Sequence, residues 1–191
     1  MLTLAHWLPV PFALVCLGCS SSLGPVFEPL PYPTEPVRAH VREVNLYDRR
    51  TETRGGNFDT PIVSLPGQHE RAQLRITETT FQEMKRRLGK LIAHGKRELI
   101  VNVSINAGEA GWSSSWTSET AFASVKLDVE FRDAVSGAVL VSTFGEAWGR
   151  HSSIDVSDGE SNQLFQAAAL AAFDRAVASQ QAVQALSGAA Q

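Results

Sequence analysis

Cys19 ends an apolar stretch, Val15-Cys16-Leu17-Gly18-Cys19, and is followed by Ser20-Ser21-Ser22. In that position the cysteine reads as a lipid anchor. A short apolar region that stops at a small residue has the layout of a secretory signal and its cleavage site. The competing reading is a buried or membrane-crossing segment. Leu2 to Gly18 is marginal for that, since a span needs about 20 apolar residues, and Pro9 and Pro11 interrupt it.

Other residues with chemical potential are scattered. Asp48, Arg49 and Arg50 end a predicted strand, where guanidinium groups can contact an anion such as carboxylate or phosphate; solvated strand-end charges are the plainer alternative. Lys85, Arg86, Arg87 and Lys90 could face anionic headgroups, or form the water side of a helix. Trp112 and Trp116, in Gly111-Trp112-Ser113-Ser114-Ser115-Trp116, are large aromatics in a polar connection. They are candidates for a partner surface, against packing over the sheet's rim.

No catalytic residue is expected. The histidines at 6, 40, 69, 94 and 151 show no metal-ligand spacing, and no metal or cofactor is expected beyond a lipid on Cys19. His151, Ser152, Ser153 and Asp155 hold triad residue types in one short span, but neighbours in one loop rarely converge as a triad requires. A small hydrolase is therefore only the third reading. The net charge of −3 lacks the basic balance of a nucleic-acid binder.

These residues must be positioned by one domain. With 191 residues, 43% of them hydrophobic, the chain can bury a core after removal of a leader. Residues 1–18 are expected to be a signal peptide and 19–36 the lipidated cysteine with a proline-rich tether. Residues 37–180 should form an α+β domain and 181–191 a fraying C-terminal tail. The tether could stand extended, or lie on the domain with Phe27, Leu30 and Tyr32 in surface grooves.

Val37, Ala39 and Val41, then Val44 and Leu46, alternate with polar residues, and the change of phase predicts a bulge. Asp48 to Asn57 reads as a loop and Pro61 to Leu65 as a short edge strand. Phe81, Met84, Leu88, Leu91 and Ile92 share a helical face, which predicts a helix over 80–93 capped by Thr79 and stopped at His94-Gly95. Leu99 to Ile105 and Val125 to Phe131 alternate as strands. A loop over 133–137 leads to a further strand over 138–148. Ser157 and Glu160 form a capping box for a helix whose Phe165, Ala168, Ala169, Ala172 and Ala176 make one stripe, with Gln163, Gln166 and Asp174 toward water. The expected fold is α+β: an antiparallel sheet of about four strands with two helices on one face, in the order β-α-β-β-β-α.

The start of the chain resembles bacterial lipoprotein signals, and the whole resembles the small proteobacterial envelope lipoproteins of the YajG type. The local content is Val44-Asn45-Leu46-Tyr47-Asp48-Arg49-Arg50, Leu88 through Gly95 before the strand at Leu99, and Ala123-Ser124-Val125-Lys126-Leu127 leading to the turn at Gly137 and the alanine-rich helix. The likeness spans Val37 to Ala178. It implies a lipoprotein at the outer membrane, facing the periplasm, with no settled catalytic role; Ser20 after the cysteine fits the same address. The expected function is a non-catalytic module that binds the membrane through its lipid and a second envelope protein through its surface, and no nucleic acid. The alternative is an accessory lipoprotein of a lipid or lipopolysaccharide transport assembly, with an apolar groove between sheet and helices.

Overall fold

The computed structural model describes residues 32–33, 35–50, 56–57, 74–114, 119–153 and 158–188. Cys19, Trp116, Asp155 and the strand expected over 61–65 lie outside the described residues. In chain order the elements are β1 (His40–Asp48), β2 (Gly56–Asn57), α1 (Glu78–Leu91), β3 (Glu98–Ser114), β4 (Glu119–Asp133), β5 (Val139–Ser153), α2 (Asp158–Val177) and α3 (Gln180–Gly188). They form an α+β fold.

The sheet runs β1-β3-β4-β5, with the two-residue β2 also paired to β3. Strands β3, β4 and β5 are the expected antiparallel meander. Strand β1 corrects the expectation of an all-antiparallel sheet, because it pairs with β3 in parallel. The cause is α1, which carries the chain back along the sheet so that β3 re-enters in the direction of β1. The phase change in β1 is a bulge between Val41 and Glu43. Alternation extends beyond the predicted strands, so β3 and β4 continue as a long hairpin through the stretch expected to be a connection.

One face of the sheet is covered. Odd-numbered residues of β4 from Ala121 to Phe131 point into the core with Leu99, Val101 and Val103 of β3, all at 2% exposure or less. The alanine stripe of α2 is fully buried as expected. It brings the helix so close that a Cβ on Gly145 of β5 would lie 1.9 Å from the Ala172 carbonyl oxygen. Glycine is therefore required there for backbone approach, not for backbone conformation.

Helix α1 buries Met84, Leu88 and Leu91. Its cap is Thr77, whose side chain accepts from the Thr80 amide, and not Thr79. Past its end, Ile92 to Arg97 runs beside Val37 to His40. A Cβ on Gly95 would meet the Arg38 carbonyl carbon at 2.1 Å, so this glycine too serves close packing. The expected tail contains α3, which buries Ala182 and Leu186. Asp174 corrects its assignment to water. It is buried and accepts from the Tyr32 hydroxyl and from Arg87 of α1. Tyr32 belongs to the proline-rich stretch, so that stretch touches the domain at this residue. Burial and the Asp174 carboxylate push the Tyr32 phenol well above its ordinary pKa.

Candidate functional site, the uncovered sheet face

Alternation in a strand sends every second side chain to the opposite face, and the face away from the helices carries what the core does not use. Register aligns Asn45, Asn102, Glu130 and Ser142 in one row across four strands. The row is bonded laterally: Asn45 Nδ2 donates to Asn102 Oδ1 at 3.2 Å, and Asn102 Nδ2 donates to Glu130 Oε1 at 3.2 Å. Arg132 Nε donates to the same Glu130 oxygen at 2.6 Å. That guanidinium, more than any other cause, holds the Glu130 carboxyl below its usual range. The neighbouring row is Tyr47, Ser104, Asp128 and Phe144.

These rows floor a depression of about 510 Å³, edged by Glu43, Arg49 and Ile100. It offers amide and guanidinium donors beside carboxylate acceptors. Such a surface suits hydrogen bonding to a polar, extended segment, since orienting groups of both kinds are already fixed. Exposed aromatic side chains stand on the same face, Tyr47 in the lining of the depression and Phe144 and Trp148 beyond it. Tyr47 on β1 is 46% exposed, Phe144 on β5 54% and Trp148 on β5 68%.

The structure separates the two residues predicted to contact an anion together. Arg49 faces the depression. Arg50 turns to the covered face with its side chain 2% exposed, paired to Asp48 at 2.6 Å and donating to the Leu74 carbonyl at 2.6 Å. Its Nη1 has no hydrogen-bond acceptor among the described residues, and the guanidinium lies 5.2 Å from the Phe165 ring centroid. Arg50 is thus a packing cation, and its hydrogen bonds lower the Asp48 pKa.

The basic residues of α1 are mostly engaged. Arg86 and Arg87 pair with Glu83 at 2.6 and 2.9 Å, Arg87 also reaches Asp174, and Lys85 lies over the Phe81 ring at 4.2 Å. The two arginines, Arg86 first, push the Glu83 carboxyl down to about 2.

Trp112 lies in β3, its backbone opposite Ala121 and Asn57. His151 and Ser152 are consecutive in β5, and Ser152 Oγ is 2.9 Å from Thr120 Oγ1. Among the described residues no three His, Cys, Asp or Glu side chains gather as metal ligands.

Sequence reasoning missed Phe144 and Trp148. The signal was present: in Ser142-Thr143-Phe144-Gly145-Glu146-Ala147-Trp148-Gly149-Arg150 the odd positions are small and the even ones from 144 onward large or charged. Small residues go toward the alanine helix, which leaves the aromatics on the open side.

No family model matches the chain, and no curated protein matches it. Among solved structures it is similar to a Xanthomonas campestris protein of the DUF330 family, with 13% identity and a TM-score of 0.49 over 83% of this chain and 91% of that one. It is also similar to a neuraminyllactose-binding hemagglutinin homologue from Helicobacter pylori, with 11% identity and a TM-score of 0.38 over 85% of this chain and 98% of the other. Likeness at this level adds nothing to the choice of site. Neither comparison bears out the resemblance to YajG-type lipoproteins.

Proposed function

We propose that the protein is a lipid-anchored component of the bacterial envelope, held by Cys19 at the outer membrane and facing the periplasm, whose uncovered sheet face binds another envelope protein without catalysing a reaction. The observation that supports this most is the bonded row from Asn45 to Glu130 beside the half-exposed Tyr47. Core packing on the opposite face makes no use of these groups. A fixed polar floor with an aromatic at its rim is the composition of a recognition surface, where Tyr and Arg contribute most of the binding energy. Trp112 and Trp116 stay a separate candidate for a partner surface, because register sets Trp112 opposite Ala121 in a row of the covered face. The lipid-transport reading calls instead for an apolar groove between sheet and helices, on the other side from this mostly polar depression.

The address and the surface are tested separately. Cys19→Ala is expected to move the protein out of the membrane fraction, because two or more acyl chains are what make such anchoring stable; unchanged fractionation would rule the anchor out. Tyr47→Ala with Arg49→Ala, and in a second variant Trp112→Ser with Trp116→Ser, are expected to lose co-purifying protein from detergent-solubilised envelopes while the melting temperature holds. Retention of the partner by the Tyr47–Arg49 variant would contradict the assignment to the uncovered face, and retention by the tryptophan variant would remove Trp112 and Trp116 as candidates.

A further inference from the structure

The two edges of the sheet are not alike. Strand β1 has nine residues, a bulge and a run of charges at Arg42, Glu43 and Asp48, which are the usual devices that keep an edge from pairing. Strand β5 has fifteen residues, Val139–Ser153, no proline and two exposed aromatics. It is also terminal in the strand order. Its pairing with β4 shifts register once, at Leu140, and from Val141 to Ser153 it runs without a break. A long, aromatic-bearing edge of this kind is a template for another strand.

The sequence of that edge specifies which strand. Glu146, Trp148 and Arg150 lie on the same face, evenly spaced about Trp148. If β5 meets a second β5 antiparallel with Trp148 on the two-fold axis, Glu146 of each copy stands opposite Arg150 of the other and the two tryptophans meet at the centre. Both charge pairs are satisfied by one symmetry operation. Opposite-charge and aromatic cross-strand pairs are the stabilising units of antiparallel pairing, and like charges placed opposite are destabilising. On the helix-side face the same register sets Gly145 opposite His151 and Ala147 opposite Gly149, so the one large side chain at the seam, His151, faces a glycine. Lys126 holds Glu146 at 2.9 Å from its own sheet, which fixes the carboxylate on the face where the partner arginine arrives. Arg175 donates to the Glu146 carbonyl, and a carbonyl keeps a second lone pair for a strand partner.

We infer that β5 is a homodimer edge: two copies join antiparallel about Trp148, their Glu146 and Arg150 side chains exchanged, to make one continuous sheet. This isologous contact closes on itself, as a two-fold interface must. It sets two polar depressions on one extended surface.

The arrangement gives a test that ordinary misfolding cannot imitate. The full-length protein, purified in detergent, is measured by sedimentation in three forms: wild type, Arg150→Glu, and Glu146→Arg. Wild type is expected to dimerise. Each variant alone places like charges opposite each other twice and is expected to associate at least about tenfold more weakly. Mixed in equal amounts, they are expected to recover the dimer, because a chain with carboxylates at both positions then faces a chain with guanidinium groups at both. A monomeric wild type, a single variant that dimerises normally, or a mixture that stays monomeric overturns the inference. Melting temperatures of the two variants are expected to match that of the wild-type monomer, which separates failed pairing from failed folding.

Discussion

The two faces of the sheet are built on opposite rules. On the covered face size and closeness decide everything: Phe131, Phe165 and Phe173 are fully buried, and alanines on α2 let its backbone touch Gly145. On the uncovered face most side chains are polar or aromatic, several are bonded to each other across strands, and the helices among the described residues cover the other face. One sequence with a period of two writes both. What stabilises the fold and what is free to recognise a partner are thus separated to within one residue along each strand.

That contrast can be broken first on the covered side. Phe131→Ala leaves a large cavity and should destabilise by about 4 kcal/mol in urea unfolding. Gly145→Ala comes next. Its methyl group has only the Ala172 backbone to displace, so α2 must lift from the sheet, at a cost of about 3 kcal/mol; a loss under about 1 kcal/mol would show that the helix sits less tightly than described. Tyr32→Phe removes one hydrogen bond to Asp174, which keeps Arg87, and should cost about 1 kcal/mol.

A smaller effect belongs to the turn joining β4 to β5. Asp133 accepts from the Ser136 amide at 2.9 Å, from the Val135 amide and from Arg97 at 2.9 Å, and these bonds, Ser136 foremost, push its carboxyl down to about 2. A carboxyl lowered in the folded state favours folding above its ordinary pKa near 3.8, and that contribution disappears as pH falls toward 2. Asp133→Asn should therefore flatten the fall of melting temperature between pH 5 and 2, as followed by circular dichroism. The smallest change is expected on the open side. Trp148→Ser should alter monomer stability by no more than about 0.5 kcal/mol, and a larger loss would mean that the open face carries part of the core.

Local signals in the sequence were sufficient where packing follows local periodicity. The bulge after Val41 was legible in a change of phase, and the alanine stripe in its spacing. Partners distant in the chain were not. Asp174 looks solvated within its own helix, because Tyr32 and Arg87 reach it from 142 and 87 residues away. The parallel placement of β1 depends on where α1 returns the chain, which periodicity does not record. Thr77 and Thr79 are equally good caps by type, and only tertiary contact, including Gln166 accepting from the Thr77 amide, selects the first. For the site, Arg49 and Arg50 looked like a pair until alternation sent them to opposite faces. Phe144 and Trp148 were hidden because extended structure was recognised without asking which side faces the small residues.

The central claim is that recognition belongs to the uncovered face and not to the helices. A photo-crosslinking benzoylphenylalanine at Tyr47, on the rim of the depression, compared in living cells with one at the exposed Gln82 on α1, tests it most directly. A discrete protein adduct is expected from position 47 and none from position 82. Adducts from position 82 alone, or from neither position, would contradict it.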